Sequence, residues 1–235
     1  IQKNKLRTFL SGFTVALGIL IFVVLYGFGN GLKNTFNEFF GNDATNVLYL
    51  SPGRTTEPYL GYKANRRIEF DNSDLKDIKE NFAMFLDYVT PQISRGALAK
   101  YGHESDNYSI RAAAPSIQEA EKLILMEGRF INQSDIDNKT KNIVIGRLVK
   151  KDLFKGNKAL GEFIDLGGSS FRIVGVFQDD GGDREERIIY MSYTSRQRQD
   201  KATDKVDQII IGFKPEIGYA GAMALEKSLN TYFRE

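Results

Sequence analysis

The feature that most constrains this chain is an uncharged run near its start. Thr8–Leu32 holds 25 consecutive residues without a Lys, Arg, Asp or Glu, in a sequence of 235. Lys3, Lys5 and Arg7 stand before the run and Lys33 follows it. A hydrocarbon core about 30 Å thick is crossed by roughly 20 helical residues, so the run is long enough to span a membrane. A buried core helix seldom stays apolar on every face. A cleaved signal peptide has an apolar region of roughly 7–15 residues and a small-residue cleavage site. The stretch after the run, GFGNGLKNTF, offers no such site. The expectation is an uncleaved membrane helix. Its basic flank places the N-terminal end in the cytoplasm and the rest of the chain outside it.

The helical pattern continues past the run. Leu32, Phe36 and Phe39 or Phe40 keep helical spacing, with Lys33, Asn34, Asn37 and Glu38 between them. One helix is expected from about Leu6 to Phe40, ended by Gly41-Asn42-Asp43, since Gly and Asn suit a helix C-terminus. Gly12 and Ala16, and Gly27 and Gly31, stand four apart, a spacing that lets helices approach closely. Glycine is also common in membrane helices generally.

Charge and composition narrow the remainder. The first 31 residues carry three basic and no acidic side chains, and removing them from the totals of 32 and 30 leaves 29 basic against 30 acidic. The outer domain therefore has no basic surplus, which argues against a nucleic-acid partner and against strong electrostatic steering. With no cysteine there are no disulfides, thiolate nucleophiles or cysteine metal sites. His103 is the single histidine, so a histidine-based metal site or catalytic triad is not expected. About 200 residues suffice for a core of their own, in one domain or two small ones.

Along the chain, Asn46–Ser51 reads as a strand and 52–67 as a loop without clear period. Asp71, Asn72 or Ser73 caps a helix that carries Leu75, Ile78, Phe82 and Phe85. Tyr88–Lys100 and Tyr108–Ala114 read as strands around the turn Tyr101–Glu104. Pro115–Arg129 holds a short helix or turn and ends in LILMEGRF. Asn132–Asp137 is polar and turn-like. Asn142–Gly146 is a strand of the buried type, followed by RLVKKDLF as a short helix. Glu162–Leu166 and Phe171–Phe177 form a hairpin about Gly167-Gly168-Ser169-Ser170. Gln178–Glu186 is a charged loop, Arg187–Met191 a strand and Tyr193–Lys201 partly helical. Val206–Phe213 is the last strand, and Ile217–Arg234 closes with an amphipathic helix carrying Tyr219, Met223, Leu225, Leu229 and Phe233. The mixed elements fall in segregated pieces, without the regular βαβ rhythm of a doubly wound sheet, so the fold class is α+β.

No constellation points to catalysis. Asp179-Asp180-Gly181-Gly182-Asp183 clusters carboxylates but lacks the register of a calcium loop, and Arg184 and Arg187 are expected to neutralise it in part. Gly27-Phe28-Gly29-Asn30-Gly31 lacks the G-x-x-x-x-G-K-[ST] pattern of a phosphate loop. His103 reads as a plain surface residue. Asn107, Asn132 and Asn138 fit a glycosylation sequon short enough to arise by chance. Glu185-Glu186 has no hydroxyl or histidine beside it and reads as solvated. With one histidine and no cysteine, no nucleophile–base arrangement is expected. The expectation is no catalytic, metal or cofactor-binding residue.

The order of these segments resembles a known family. KNKLRTFLSGFTVALGILIFVV, EGRFIN at Glu127–Asn132, NIVIGRLVKKDLF and ALGEFIDLGGSSFRIVGVFQD resemble, in that order, segments of the MacB/FtsX-type ABC-transporter permeases, the type VII exporters. In the last segment the matching positions are Gly161, Ile164, Phe171, Val174, Gly175 and Val176. RIIYMSYTSRQR is similar to the family's next strand, with Ser192 where proline is usual. The resemblance implies a first membrane helix with its stalk (1–40) and a periplasmic core domain (41–235). That domain would have a porter-like lobe at about 41–94 and 205–235 and an inserted, mostly β lobe at about 95–204. It implies a chain that stops before the family's second membrane helix. It also implies a non-catalytic permease in the inner membrane, without cofactor, working with a cytoplasmic ABC ATPase and a second permease subunit. A periplasmic adaptor, lipoprotein or hydrolase is a possible further partner, and export or lipoprotein extraction the task. The alternative within the same family is an FtsX-like regulator that activates a cell-wall hydrolase.

Overall fold

The computed structural model describes residues 5–41, 46–58 and 61–233, without the side chains of 5–8, 33–41 and Tyr219. It comprises two compact units, residues 1–43 and 44–235. The first is α1 (Lys5–Gly41), a single unbroken helix of 37 residues. Between Phe9 and Leu32 it is long and apolar enough to cross a membrane. Its apolar side chains are exposed around the whole circumference, from Phe9 through Phe22 to Phe28. A helix apolar on all faces has no inner and outer side, which is what a lipid surround demands and water does not. Phe36, Phe39 and Phe40 fall within the helix, but their side chains, those of Lys5 and Arg7, and Lys3 and Asn42–Asp43 altogether, lie outside the described residues.

The second unit is α+β, as the mixed pattern of the sequence predicts. Its strands are β1 (Val47–Leu50), β2 (Phe70–Asp71), β3 (Leu86–Tyr101), β4 (Glu104–Ala113), β5 (Ile124–Gly128) and β6 (Asn142–Gly146). They continue with β7 (Phe163–Leu166), β8 (Ser169–Gln178), β9 (Ile188–Ser192), β10 (Lys205–Val206) and β11 (Gln208–Phe213). The helices are α2 (Asn72–Asn81), α3 (Ile117–Ala120), α4 (Gln133–Asp137), α5 (Arg147–Phe154), α6 (Tyr193–Gln199) and α7 (Gly218–Tyr232).

The pairings close a ring. β3 pairs β4, β4 pairs β9, β9 pairs β6, β6 pairs β8, β8 pairs β7, and β7 returns to the far end of β3 at Ala99 and Lys100. Six strands joined in this way form a small barrel, whose interior side chains must fill it. All six strands contribute to one apolar cluster: Ala99, Ile110, Ile143, Ile164, Ile173 and Ile189 are among its members, each at most 1% exposed. Val149, Leu153 and Phe154 of α5 join the same cluster. The alternate residues Val144, Phe177 and Tyr190 face the other way, under a lid of Ile117, Leu123, Phe130, Ile131 and Ile136. The period of two along β6, with Ile143 and Ile145 in one cluster and Val144 in the other, explains why its sequence is apolar throughout.

β3 is 16 residues long and changes partner along its length. Residues 86–92 pair with β11, which in turn pairs with β1, and residues 92–101 pair with β4. The β1–β11–β3 part packs its Val89, Ile209 and Ile211 with Leu75 and Ile78 of α2 and Leu225 and Leu229 of α7. Asp71 caps α2 in a reciprocal capping box with Asp74, as the sequence suggests. The Tyr232 hydroxyl donates to Asp77 Oδ2 at 3.1 Å and ties α7 to α2. The strand expected over Val206–Phe213 is two: Val206 pairs with Phe70 in a separate ribbon, and β11 begins at Gln208.

Candidate functional site

Within residues 44–235, the segments that carry the family resemblance lie in the barrel strands or against them. Gly128 has φ +72, a region open to glycine, and a side chain there would meet the Val174 backbone and Leu160. Arg129 follows, with its N–H donating to the Val174 carbonyl at 2.9 Å. Its guanidinium forks onto Asp135, Nη1 to Oδ2 at 2.6 Å and Nη2 to Oδ1 at 3.2 Å. The Phe130 ring lies 5.6 Å from that of Tyr190, tilted by 53°, and Tyr190 meets Phe177 edge-on at 5.2 Å. Gly175 lies directly beneath the Arg129 carbonyl, where a Cβ has no room. Gly161, at φ +90, donates its N–H to the Ile173 carbonyl at 2.8 Å. Ser192 caps α6, its Oγ accepting from the Ser195 N–H at 3.2 Å.

Three ion-pair clusters lie on the segments packed against the barrel strands. Asp135 is 1% exposed. It accepts from Arg129, from Thr140 Oγ1 at 2.6 Å, from Asn142 Nδ2 at 2.7 Å and from the Asn132 N–H at 3.0 Å. Burial alone would raise its pKa, but the donors from Arg129, Thr140, Asn142 and Asn132 outweigh that and hold the carboxyl well below its usual range. Glu186 is 2% exposed and takes a two-pronged contact from Arg147, Nη2 to Oε2 at 2.7 Å. It is thus not solvated, as its place in an exposed charged run suggested: the end of β6 brings Arg147 over it. Glu121, at the end of α3, receives Arg111 Nη1 at 2.7 Å and the hydroxyl of the buried Tyr190. Burial pushes Glu121 up, and Arg111 and Tyr190 pull against it.

The carboxylate run 179–183 does not gather. Asp179 Oδ1 accepts from the Gly181 N–H at 2.6 Å in a local turn, and Asp180 and Asp183 are exposed. Arg187 does not neutralise it, because its Nη1 lies 2.6 Å from Asp152 on α5. His103 sits exposed in the β3–β4 turn. Asn132 caps α4 with its side chain, and Asn138 and Asn107 are exposed. Among the described residues no group of three His, Cys, Asp or Glu side chains could hold a metal ion. Two open depressions of about 390 and 500 Å³ adjoin between α2 and the segment after β4, sharing Lys79, Ala114 and Gln133. Their floors are Leu75, Pro91 and Val89, and neither brings a nucleophile to a base. Sequence reasoning missed Asp135 and Glu186, although N-x-x-D at Asn132–Asp135 is a capping-box signal for α4.

Asp135 gives a sharp test. Replacing it by alanine strands Arg129, Thr140 and Asn142 and is expected to cost about 3 kcal/mol. Because its folded pKa is depressed, its contribution is complete above the ordinary carboxylate range, near pH 4, and is lost as pH falls below it. Urea titrations at pH 7 and pH 3 should show the Asp135→Ala deficit shrinking at the lower pH; an equal deficit at both would remove the ionised carboxylate from the account.

Residues 44–235 thus form a glycine-jointed barrel beside a sheet packed by two helices, and a helix long and apolar enough to cross a membrane precedes them in the sequence. A family profile described as "MacB-like periplasmic core domain" matches residues 8–225, and the chain belongs to that family. The macrolide export ATP-binding/permease protein MacB of Wolinella succinogenes is 27% identical over 202 residues, covering 83% of this chain and 30% of that protein. MacB of Bartonella henselae is 25% identical and covered to 32%. The chain thus spans about a third of the length of these curated relatives. The crystal structure of the periplasmic region of MacB from Actinobacillus actinomycetemcomitans superposes with TM-score 0.68 at 19% identity, covering 82% of this chain and 86% of that one. The extracellular domain of the ABC-type transporter YknZ from Gram-positive bacteria gives 0.59 at 15% identity, covering 78% and 95%. Both show the same fold.

Proposed function

We propose that the chain is the first membrane helix and outer domain of a permease subunit that couples ATP hydrolysis in the cytoplasm to movement outside it. The observation that carries this is the continuity of α1. One helix of 37 residues holds both the membrane-length run and the polar segment leading to the domain. ATP binding falls to a partner chain or to a segment outside these 235 residues, and the subunit works as a dimer in the inner membrane. The lobe division fits the change of partner along β3. A porter-like lobe takes about 41–94 and 205–235, and the barrel is the inserted lobe of about 95–204. Export of a substrate or extraction of a lipoprotein is the task.

These 235 residues hold no cysteine, so a single replacement here adds one thiol of known position. In whole cells, Asp180→Cys is expected to react with a membrane-impermeant thiol reagent and Gln2→Cys to stay unlabelled; the reverse pattern refutes the orientation. Purified alone, the chain is expected to neither bind nor hydrolyse ATP, and saturable hydrolysis would refute the non-catalytic reading.

A further inference from the structure

Residues 52–68 run between β1 and β2 as an arm with almost no apolar packing. Its order comes from the backbone: Thr55 N–H donates to the Arg66 carbonyl at 2.9 Å, Asn65 N–H to the Thr55 carbonyl at 2.7 Å, and Ile68 N–H to the Gly53 carbonyl at 3.0 Å. An Arg54–Arg67 bridge lies between these bonds. Every described residue of the arm except Pro52, Thr55 and Ile68 is exposed. A two-stranded ribbon without a core is marginal by itself, so such an arm is stabilised by little beyond its hydrogen bonds and its two anchored ends.

Its charge is the anomaly. Residues 44–235 hold 28 basic and 28 acidic side chains, yet 52–68 carry Arg54, Lys63, Arg66 and Arg67 against Glu57 alone. Outside the arm, six arginines, Arg95, Arg111, Arg129, Arg147, Arg187 and Arg196, each lie within 4 Å of a carboxylate. Among the described residues, no carboxylate pairs with any of the four cations of the arm. Arg54 Nη1 reaches only the Asn65 carbonyl at 3.1 Å, and Arg66 lies 4.3 Å over the ring of Tyr62.

We infer that this arm is a docking element for an acidic surface or segment of a partner protein, with Arg66 and Arg67 as its carboxylate forks and Tyr62 as its flat apolar contact. Guanidinium bound to carboxylate in two-pronged fashion, beside an exposed tyrosine, is the chemistry that concentrates binding energy at protein interfaces. A lipid surface is the poorer fit, because anionic membranes are gripped by clusters of about 4–8 Lys or Arg without opposing acids and need no ordered ribbon.

The test uses the full chain in a neutral detergent and a fluorescent hepta-glutamate peptide, read by anisotropy at 50 and 300 mM salt. Binding needs no ATPase, so it succeeds or fails independently of ATP coupling. The expected result is saturable binding that weakens with salt, and at least a tenfold loss of affinity in the R66E/R67E double variant. R172E/R184E makes the same charge change at exposed arginines outside the arm and is expected to change affinity less than twofold. R66K/R67K, which keeps charge but not the fork, is expected to fall between them, and it serves if R66E/R67E lowers the thermal midpoint. Equal losses in the arm and control variants overturn the inference, as does no peptide binding. Tighter binding to phosphatidylglycerol vesicles than to the peptide, lost in R66E/R67E, also overturns it by making the arm lipid-facing.

Discussion

Gly146→Ala is expected to leave residues 44–235 without a stable native state. A Cβ built on Gly146 lands within the Glu186 carbonyl group, 2.6 Å from its carbon, and the obstacle is backbone, not a side chain that could swing away. Gly146 ends β6 and immediately precedes α5, so the same close approach brings Arg147 onto the buried carboxylate of Glu186. Pushing the two backbones apart would break that ion pair and unseat Val149, Leu153 and Phe154 from the apolar cluster they share with the barrel strands. The loss is expected to exceed about 4 kcal/mol, a large part of the total stability of a domain. Gly96→Ala is the control: it lies on β3 with nothing within 4 Å of where a Cβ would stand, and is expected to shift stability by about 1 kcal/mol or less. Circular dichroism through a thermal ramp reads both. A cooperative transition of Gly146→Ala near that of the parent chain would show that the joint yields, and that β6 and Glu186 are not locked together as described.

What the sequence made legible and what it hid follow from the range of the forces involved. The membrane-length helix, the strand over Asn142–Gly146 and the helix over Arg147–Phe154 rest on runs of neighbouring residues, and the structure places all three as the pattern predicts. Ring closure does not rest on neighbours. It depends on β7 meeting β3 across more than 60 residues of chain, at Ala99–Leu166 and Lys100–Asp165. Nothing local marks those four residues. The buried acids were hidden for the same reason: Glu186 looks solvated until Arg147, 39 residues earlier, is placed against it. The stretch 52–67 reads as a loop because its pairing is carried by backbone hydrogen bonds, which leave no apolar period to detect. The glycines of the motif segments were visible as letters, but their cause was not. Gly146 and Gly175 are required by what lies above them, and Gly128 by both its φ and its contacts.

A flexible Gly-Ser segment of about ten residues, inserted after Asn34 in the complete subunit, is expected to abolish the outside task while ATP hydrolysis continues. The insertion point lies inside α1, which runs without a break from Lys5 to Gly41 and has no proline. A helix is held by hydrogen bonds at every residue and transmits displacement along its axis, whereas a Gly-Ser coil takes up the same displacement as a change in its own end-to-end distance. Folding is expected to survive, because residues 44–235 form a compact unit with their own core. Membrane insertion is expected to survive too, since Phe9–Leu32 is intact. Under the proposed coupling, the loss in the cellular task should exceed tenfold with hydrolysis changed less than twofold. The weak points of the natural helix are Gly27, Gly29 and Gly31, each costing up to about 1 kcal/mol against alanine in a helix interior. Replacing all three by alanine separates a rod from a hinge. If stiffness is what the subunit needs, the triple variant keeps or gains activity. If the glycines form a hinge, it loses activity along with the insertion variant. Full activity in the insertion variant would make α1 a tether alone and would end the motion-transmitting role.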